Sequence, residues 1–195
     1  MSRLSRIAIA AALSAAFGAS QAAEFEFSGN IAYHNDVIQI AFSLAQDATD
    51  VKVWTDGFMA GVNFDPITAV WSVPSGLKVG ENDDNDSIAA GQTYFDSGLV
   101  FATLAKGDYL FTIAAYPNWA SGDHLSDGFA FDGETGIAIA DWCQPASQNC
   151  TDQKGTFWHV HLSGVDVAAP VPEPATYALM ALGLGALGWR ARRRG

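Results

Sequence analysis

Val37-Ile38-Gln39-Ile40-Ala41-Phe42-Ser43-Leu44 decides the fold class. Ile38, Ile40, Phe42 and Leu44 fall on one side of an extended chain and Gln39 and Ser43 on the other, the period-2 pattern of a half-buried strand. Tyr109 to Tyr116 alternates too, but there both Tyr109-Phe111-Ile113 and Leu110-Thr112-Ala114 are largely apolar, which predicts a central strand covered on both faces. Shorter strand candidates are Glu24 to Ile31, Val51 to Thr55, Ile67 to Val73, Gly98 to Leu104, Gly136 to Asp141 and Thr156 to Ser163. Turn clusters such as Thr55-Asp56-Gly57, Lys106-Gly107-Asp108 and Asp132-Gly133 separate them. No long 3.6-residue pattern occurs between the two ends of the chain. Many short strands with Gly and Asp turns predict an all-β antiparallel β-sandwich.

The ends read differently. Arg3 and Arg6 precede an apolar run from Ile7 to Phe17, and Ser20-Gln21-Ala22 offers small residues where a signal peptidase cuts. Residues 1–22 are therefore expected to be a signal peptide with a short signal helix. At the other end stand Val171-Pro172-Glu173-Pro174-Ala175, an apolar stretch from Tyr177 to Trp189, and Arg190-Ala191-Arg192-Arg193-Arg194. The prolines fix φ and remove backbone donors, predicting an extended segment open to a protease cleft. As a helix, Ala175 to Trp189 would reach about 22 Å at ~1.5 Å per residue, a marginal span of a bilayer core about 30 Å thick. The arginines favour the cytoplasmic side. A short transmembrane helix that serves temporarily is the expectation; a permanent anchor is the alternative.

This tail resembles the PEP-CTERM sorting signal of Gram-negative bacteria. The resemblance implies recognition at Pro172, Glu173 and Pro174 by an exosortase-type membrane peptidase, an inner-membrane-anchored precursor, and delivery to the cell surface or extracellular matrix. The expected division is 1–22 signal peptide, 23–166 exported domain, 167–171 linker and 172–195 sorting signal.

Composition bounds what the exported part does. Residues 23 to 169 hold twenty acidic residues against Lys52, Lys78, Lys106 and Lys154, with no arginine, a net charge of −16. Such a surface repels nucleic acid and anionic lipid and favours cations or neutral glycans. Five tryptophans lie in the same stretch, too aromatic a composition for disorder. Cys143 and Cys150 form an isolated close pair, most simply a loop-closing disulfide in an oxidising compartment.

A succession of motifs invites a second comparison: Phe64-Asp65-Pro66-Ile67, then Asn82-Asp83-Asp84, then Lys106-Gly107-Asp108-Tyr109. It resembles bacterial pre-peptidase C-terminal-like β-sandwich domains, whose members are mostly accessory or adhesive modules. Pro117 to Asp141 departs from that pattern.

Glu81-Asn82-Asp83-Asp84-Asn85-Asp86-Ser87 is the densest cluster of oxygen ligands in the chain. Calcium takes six to eight hard oxygens, so Asp65, Asn82, Asp83, Asp84 and Asp86 are candidate ligands for Ca2+, although the run lacks the glycine and distal Glu of an EF-hand. A solvated turn is the alternative. His159 and His161 share one strand face, a geometry open to a transition metal, while Trp158, Val160 and Leu162 make a core face opposite. His34 and His124 have no partner legible in sequence. Trp119 and Trp142, in loops beside Asp and Asn, suit stacking on sugar rings; the competing reading has both as plugs over a sandwich end. No nucleophile elbow accompanies Asp123-His124 and Ser126, and no His-Glu-x-x-His motif occurs. The expectation is a non-catalytic structural or adhesive protein linked to exopolysaccharide or biofilm. A carbohydrate-binding module is the alternative, and a secreted hydrolase a more distant one.

Overall fold

The structure, a computed structural model, describes residues 24–143 and 150–171. The expected signal peptide, the C-terminal helix and the sorting residues Pro172, Glu173 and Pro174 lie outside the described residues. Among the described residues no helix is long and apolar enough to cross a membrane.

Among the described residues nine strands follow one another: β1 (Glu24–Asn30), β2 (Val37–Leu44), β3 (Ala48–Thr55), β4 (Pro66–Ser72), β5 (Lys78–Asn82), β6 (Gly98–Leu104), β7 (Gly107–Ala115), β8 (Phe157–Ser163) and β9 (Val167–Pro170). They form a four-stranded sheet in the order β1-β8-β3-β6 and a five-stranded sheet in the order β5-β4-β7-β2-β9, antiparallel throughout. The alternation in β2 is realised as read: Ile40, Phe42 and Leu44 are buried. β7 sits at the centre of its sheet, and its register against β2 sets Ile40 opposite Phe111 and Phe42 opposite Tyr109. The last two rings stack with centroids 5.2 Å apart. Val51 and Val53 of β3 and Val160 and Leu162 of β8 meet them from the other sheet, all fully buried. Each such side chain contributes about 1.5–3 kcal/mol by leaving water.

The second apolar face of β7 also has a cover. Leu110 packs with Ala69 and Trp71 of β4 on the outside of the five-stranded sheet, beneath Ala120, Leu125 and Phe129. The segment after β7, which fits no strand pattern, therefore acts as a flap that turns an outer sheet face into a second small core. Asn118 holds it, with Oδ1 accepting from the Phe131 amide at 2.9 Å.

Two expectations need correction. Gly136 to Asp141 is not a strand: after one bridge between Tyr33 and Ala138 the chain turns, with the Asp141 and Trp142 amides both donating to the Ala138 carbonyl. Only Ile139 of that stretch reaches the core, so its alternation has no sheet to face. Val167 to Val171 is extended but is not a free linker, because Val167–Pro170 pairs with β2 as an edge strand. The folded unit thus runs past residue 166. β5, missed in the sequence, is the opposite edge strand. Both are short and carry Gly, charge or Pro, as edges commonly do to discourage further pairing.

Candidate functional site

Among the described residues, groups of three or more clustered acids and histidines fall in two places on the sandwich. The first joins Asp65, immediately before β4, to Asp83 and Asp84, just after β5. β4 and β5 are neighbours, so chain positions about twenty apart converge, and one carboxylate oxygen from each of the three lies within 4.8 Å of the others. Asp65 is buried, and Asp83 Oδ1 is sealed from solvent without a hydrogen-bond partner. Burial, followed by the neighbouring Asp84, raises the Asp83 carboxyl from 3.8 to about 7. Burial and then Asp86 raise Asp84 as well. Asp86, expected in the same ligand set, is not one of these three carboxylates. Asn82, also expected there, donates through Nδ2 to the Gly98 carbonyl at 3.0 Å, tying β5 to β6, and to the Asp84 carbonyl at 3.4 Å. Asp86 is exposed.

An acid whose folded pKa is raised stabilises the fold below its unfolded value, and that contribution is lost as pH rises through the folded value. For Asp83 the window is about pH 4 to 7. Asp83→Asn should therefore flatten the decline in stability across that window and stabilise the protein at pH 8 by roughly 1–2 kcal/mol, discounted because the group still meets water. Urea unfolding at pH 5 and pH 8 reads this directly; equal slopes for both proteins would contradict it.

The second cluster lies on the outer face of the four-stranded sheet. His159 and His161 share a face of β8, as their spacing implies, and Asp56 after β3 reaches both. In the sequence Asp56 reads only as a turn residue and Glu24 and Glu26 only as part of a strand; the structure brings both glutamates of β1 to His161 from the other side. They lie more than a hundred residues away in sequence, so only strand order could reveal them. His34 is a buried core residue, donating from Nε2 to Glu134 and accepting from the Ile137 amide at Nδ1. His124 sits in a capping box with Asp127 on the 3-10 turn Leu125–Asp127.

The two loop tryptophans go to different places. Trp142 packs against the main core and against the rings of His34 and Phe131, at 5.1 and 6.1 Å. Trp119 is half-buried beside Tyr116, edge to face at 6.1 Å. They do not share a ring contact, and Trp142 is partly buried. Cys143 and Cys150 are joined as a disulfide, with Cα atoms 4.8 Å apart. Lys154 Nζ donates to the Trp142 carbonyl next to it.

The way the domain ends connects this body to its tail. β9 runs along β2, and the Val171 amide donates to the Gln39 carbonyl at 2.8 Å, so backbone pairing holds the chain to the residue before Pro172. Residues 170–194 match the family model of the PEP-CTERM protein-sorting motif. No curated protein matches the chain. The PEP-CTERM motif implies export through an exosortase-type sorting system, a membrane-anchored precursor and processing by an exosortase-type membrane peptidase. It begins on the last residue of β9, so the folded sandwich abuts the PEP-CTERM signal directly.

Proposed function

We propose that the chain is a non-catalytic display protein of the outer envelope: a sandwich sorted outward by its PEP-CTERM tail, with a structural or adhesive part in exopolysaccharide or biofilm matrix. The observation that carries this reading is the PEP-CTERM match fused to an edge strand of a small all-β domain. A signal peptidase removes residues 1–22 on the way. The excess of twenty acidic residues over four lysines suits neutral sugars or cation-bridged polyanions as matrix partners. Asp65-Pro66 opening β4, Asn82-Asp83-Asp84 closing β5 and Gly107-x-Tyr109 opening β7 support kinship with pre-peptidase C-terminal-like modules.

Calcium at Asp65, Asp83 and Asp84 belongs to the same reading. Three carboxylates so close need a proton or a cation, and hard oxygens select calcium. A second reading, a glycan-binding module, is favoured by Trp119 alone, half-open beside Tyr116 and still able to offer part of a ring.

The test is retention of the purified exported protein on the producing organism's own exopolysaccharide, with calcium and with a chelator. Retention that calcium strengthens supports the matrix role. Retention lost in Trp119→Ala transfers the function to a saturable glycan site. Failure to bind in both conditions removes the adhesive role, and turnover of the glycan abolished by one Asp or Glu substitution would replace it with a hydrolase.

A further inference from the structure

His161 poses a charge problem that His34 does not. A neutral imidazole has one N–H to give and one lone pair to receive with. His34 uses them so, giving to Glu134 and receiving from the Ile137 amide. His161 meets carboxylate on both sides: Nδ1 is 3.1 Å from Glu24 Oε1 and 3.6 Å from Glu26 Oε1, while Nε2 is 3.0 Å from Asp56 Oδ2. Whichever nitrogen carries the proton, the other turns its lone pair on an anion. His159 adds a second imidazole, with Nδ1 at 2.6 Å from Asp56 Oδ1. Three carboxylates around two rings call for a positive charge at their centre. The nearby Lys52 does not supply it, since its ammonium pairs with Asp50 at 3.1 Å.

We propose that this cleft binds one divalent transition-metal ion of the zinc class, with Asp56, His159 Nδ1 and His161 Nε2 as ligands and Glu24 as the carboxylate that orients His161. Two imidazoles and a carboxylate form a three-ligand donor set familiar from zinc sites with an open position. One donor atom from each residue lies within 4.8 Å of the others. Donors around a tetrahedral zinc at about 2.0–2.1 Å sit about 3.3 Å apart, so the two close Asp56 contacts must open by a few tenths of an ångström and the two imidazole nitrogens must take up that same spacing around the ion. Glu24 supplies what metal-bound histidines usually have, a carboxylate accepting from the ring nitrogen turned away from the metal. The Glu24–Nδ1 contact thereby fixes the tautomer that leaves the Nε2 lone pair for the ion.

The fold holds these groups from three strands. β8 lies between β1 and β3, and the registers place His161 opposite Glu26 on one side and Trp54 on the other. The Trp54 ring stacks on His161, centroids 4.9 Å apart and 6° from parallel, fixing the imidazole plane. Asp56 is pegged to β8 by its amide, which donates to the His159 carbonyl at 3.3 Å. Gly57 permits that approach: a Cβ there would meet the His159 backbone nitrogen at 2.7 Å. His159 and Asp56 keep 26% and 21% of their side-chain surface open, so an ion and a completing water can enter. Both cysteines are committed to the disulfide, so an imidazole–carboxylate set suits an exported protein. The ion would staple the outer face of the four-stranded sheet where its strands end.

Zinc titrated into the purified exported protein at pH 7.5, followed by calorimetry and thermal unfolding, is the test. One equivalent should bind and raise Tm, and cobalt should give the visible absorption of a low-symmetry nitrogen–oxygen site. His159→Gln and Asp56→Asn should abolish both effects. Glu24→Gln, exposed and harmless to folding, should weaken zinc about 10- to 100-fold. Absence of zinc binding overturns the proposal, as does binding indifferent to His159→Gln and Glu24→Gln. A Tm that rises only with falling pH, with no response to zinc, would assign the positive charge to an imidazolium and likewise overturn it.

Discussion

Trp71→Ala is expected to cost about 3–5 kcal/mol and to free the flap after β7. Trp71 is fully buried on the outer face of the five-stranded sheet, its Nε1 donating to Thr112 Oγ1 at 3.0 Å and its ring meeting Phe129 edge to face at 6.2 Å. It is the largest side chain of the second core and joins the sheet to the flap. Truncation opens a cavity that residues 117–131 cannot fill without leaving their own hydrogen bonds. Two readouts check this: the urea midpoint should fall sharply, and limited proteolysis should cut first within 117–131. Trp71→Phe keeps most of the packing and loses the hydrogen bond, so a smaller loss, on the order of 1–2 kcal/mol, is expected. Equal losses in both variants would show that the indole hydrogen bond, and not the covered face, carries the effect.

Asp96→Ala is expected to cost about as much, roughly 3–5 kcal/mol. Its carboxylate is fully buried and accepts four hydrogen bonds. Thr55 Oγ1 and the Phe58 amide donate to Oδ1, both at 3.0 Å, and the Thr93 amide and hydroxyl donate to Oδ2 at 2.7 and 3.0 Å. Removing the acceptor strands two backbone N–H groups in the interior, which costs more than the hydrogen bonds contributed net. Asp96→Asn keeps Oδ1 but sets an amide N–H2 against the Thr93 donors, for an intermediate loss of about 1–3 kcal/mol. The same network pins Thr55, the residue before Asp56, so hydrogen exchange at Thr55 and Phe58 should accelerate in step with the loss of stability. Exchange unchanged in Asp96→Ala would contradict this anchoring role.

How much was legible in the sequence follows from how local each cause is. β2 and β7 announced themselves because burial on one face or two writes period-2 alternation into eight or nine residues. β5 and β9 did not, because edge strands bury little and carry the Gly, Glu and Pro that make a segment look like loop. Gly136 to Asp141 had apolar alternation with no partner strand, and a turn at Ala138 took its place. The flap was recorded only as a departure from pattern, yet the second apolar face of β7 already demanded a cover.

Of the candidate sites, Asp65 with Asp83 and Asp84 could be guessed because β4 and β5 form a hairpin, which keeps convergence local. Composition does not say that the Asn82 amide nitrogen points to Gly98. The shared face of His159 and His161 followed from strand geometry alone. Asp56 and Glu24 were invisible, since they reach β8 from two strands whose adjacency depends on the whole sheet order. The tail was the most legible part, because a peptidase reads extended sequence and needs no fold to present it.

The intact mass of the exported protein, recovered from the producing cells with and without their exosortase-type peptidase, tests the account most directly. With the peptidase, the product should have lost residues 1–22 and the apolar and arginine-rich part of the tail, ending near Pro172-Glu173-Pro174. Without it, the longer precursor should stay in the membrane fraction, as should Glu173→Ala in normal cells. A product that reaches the exterior with its apolar and arginine-rich tail intact, whether or not the peptidase is present, would contradict the account.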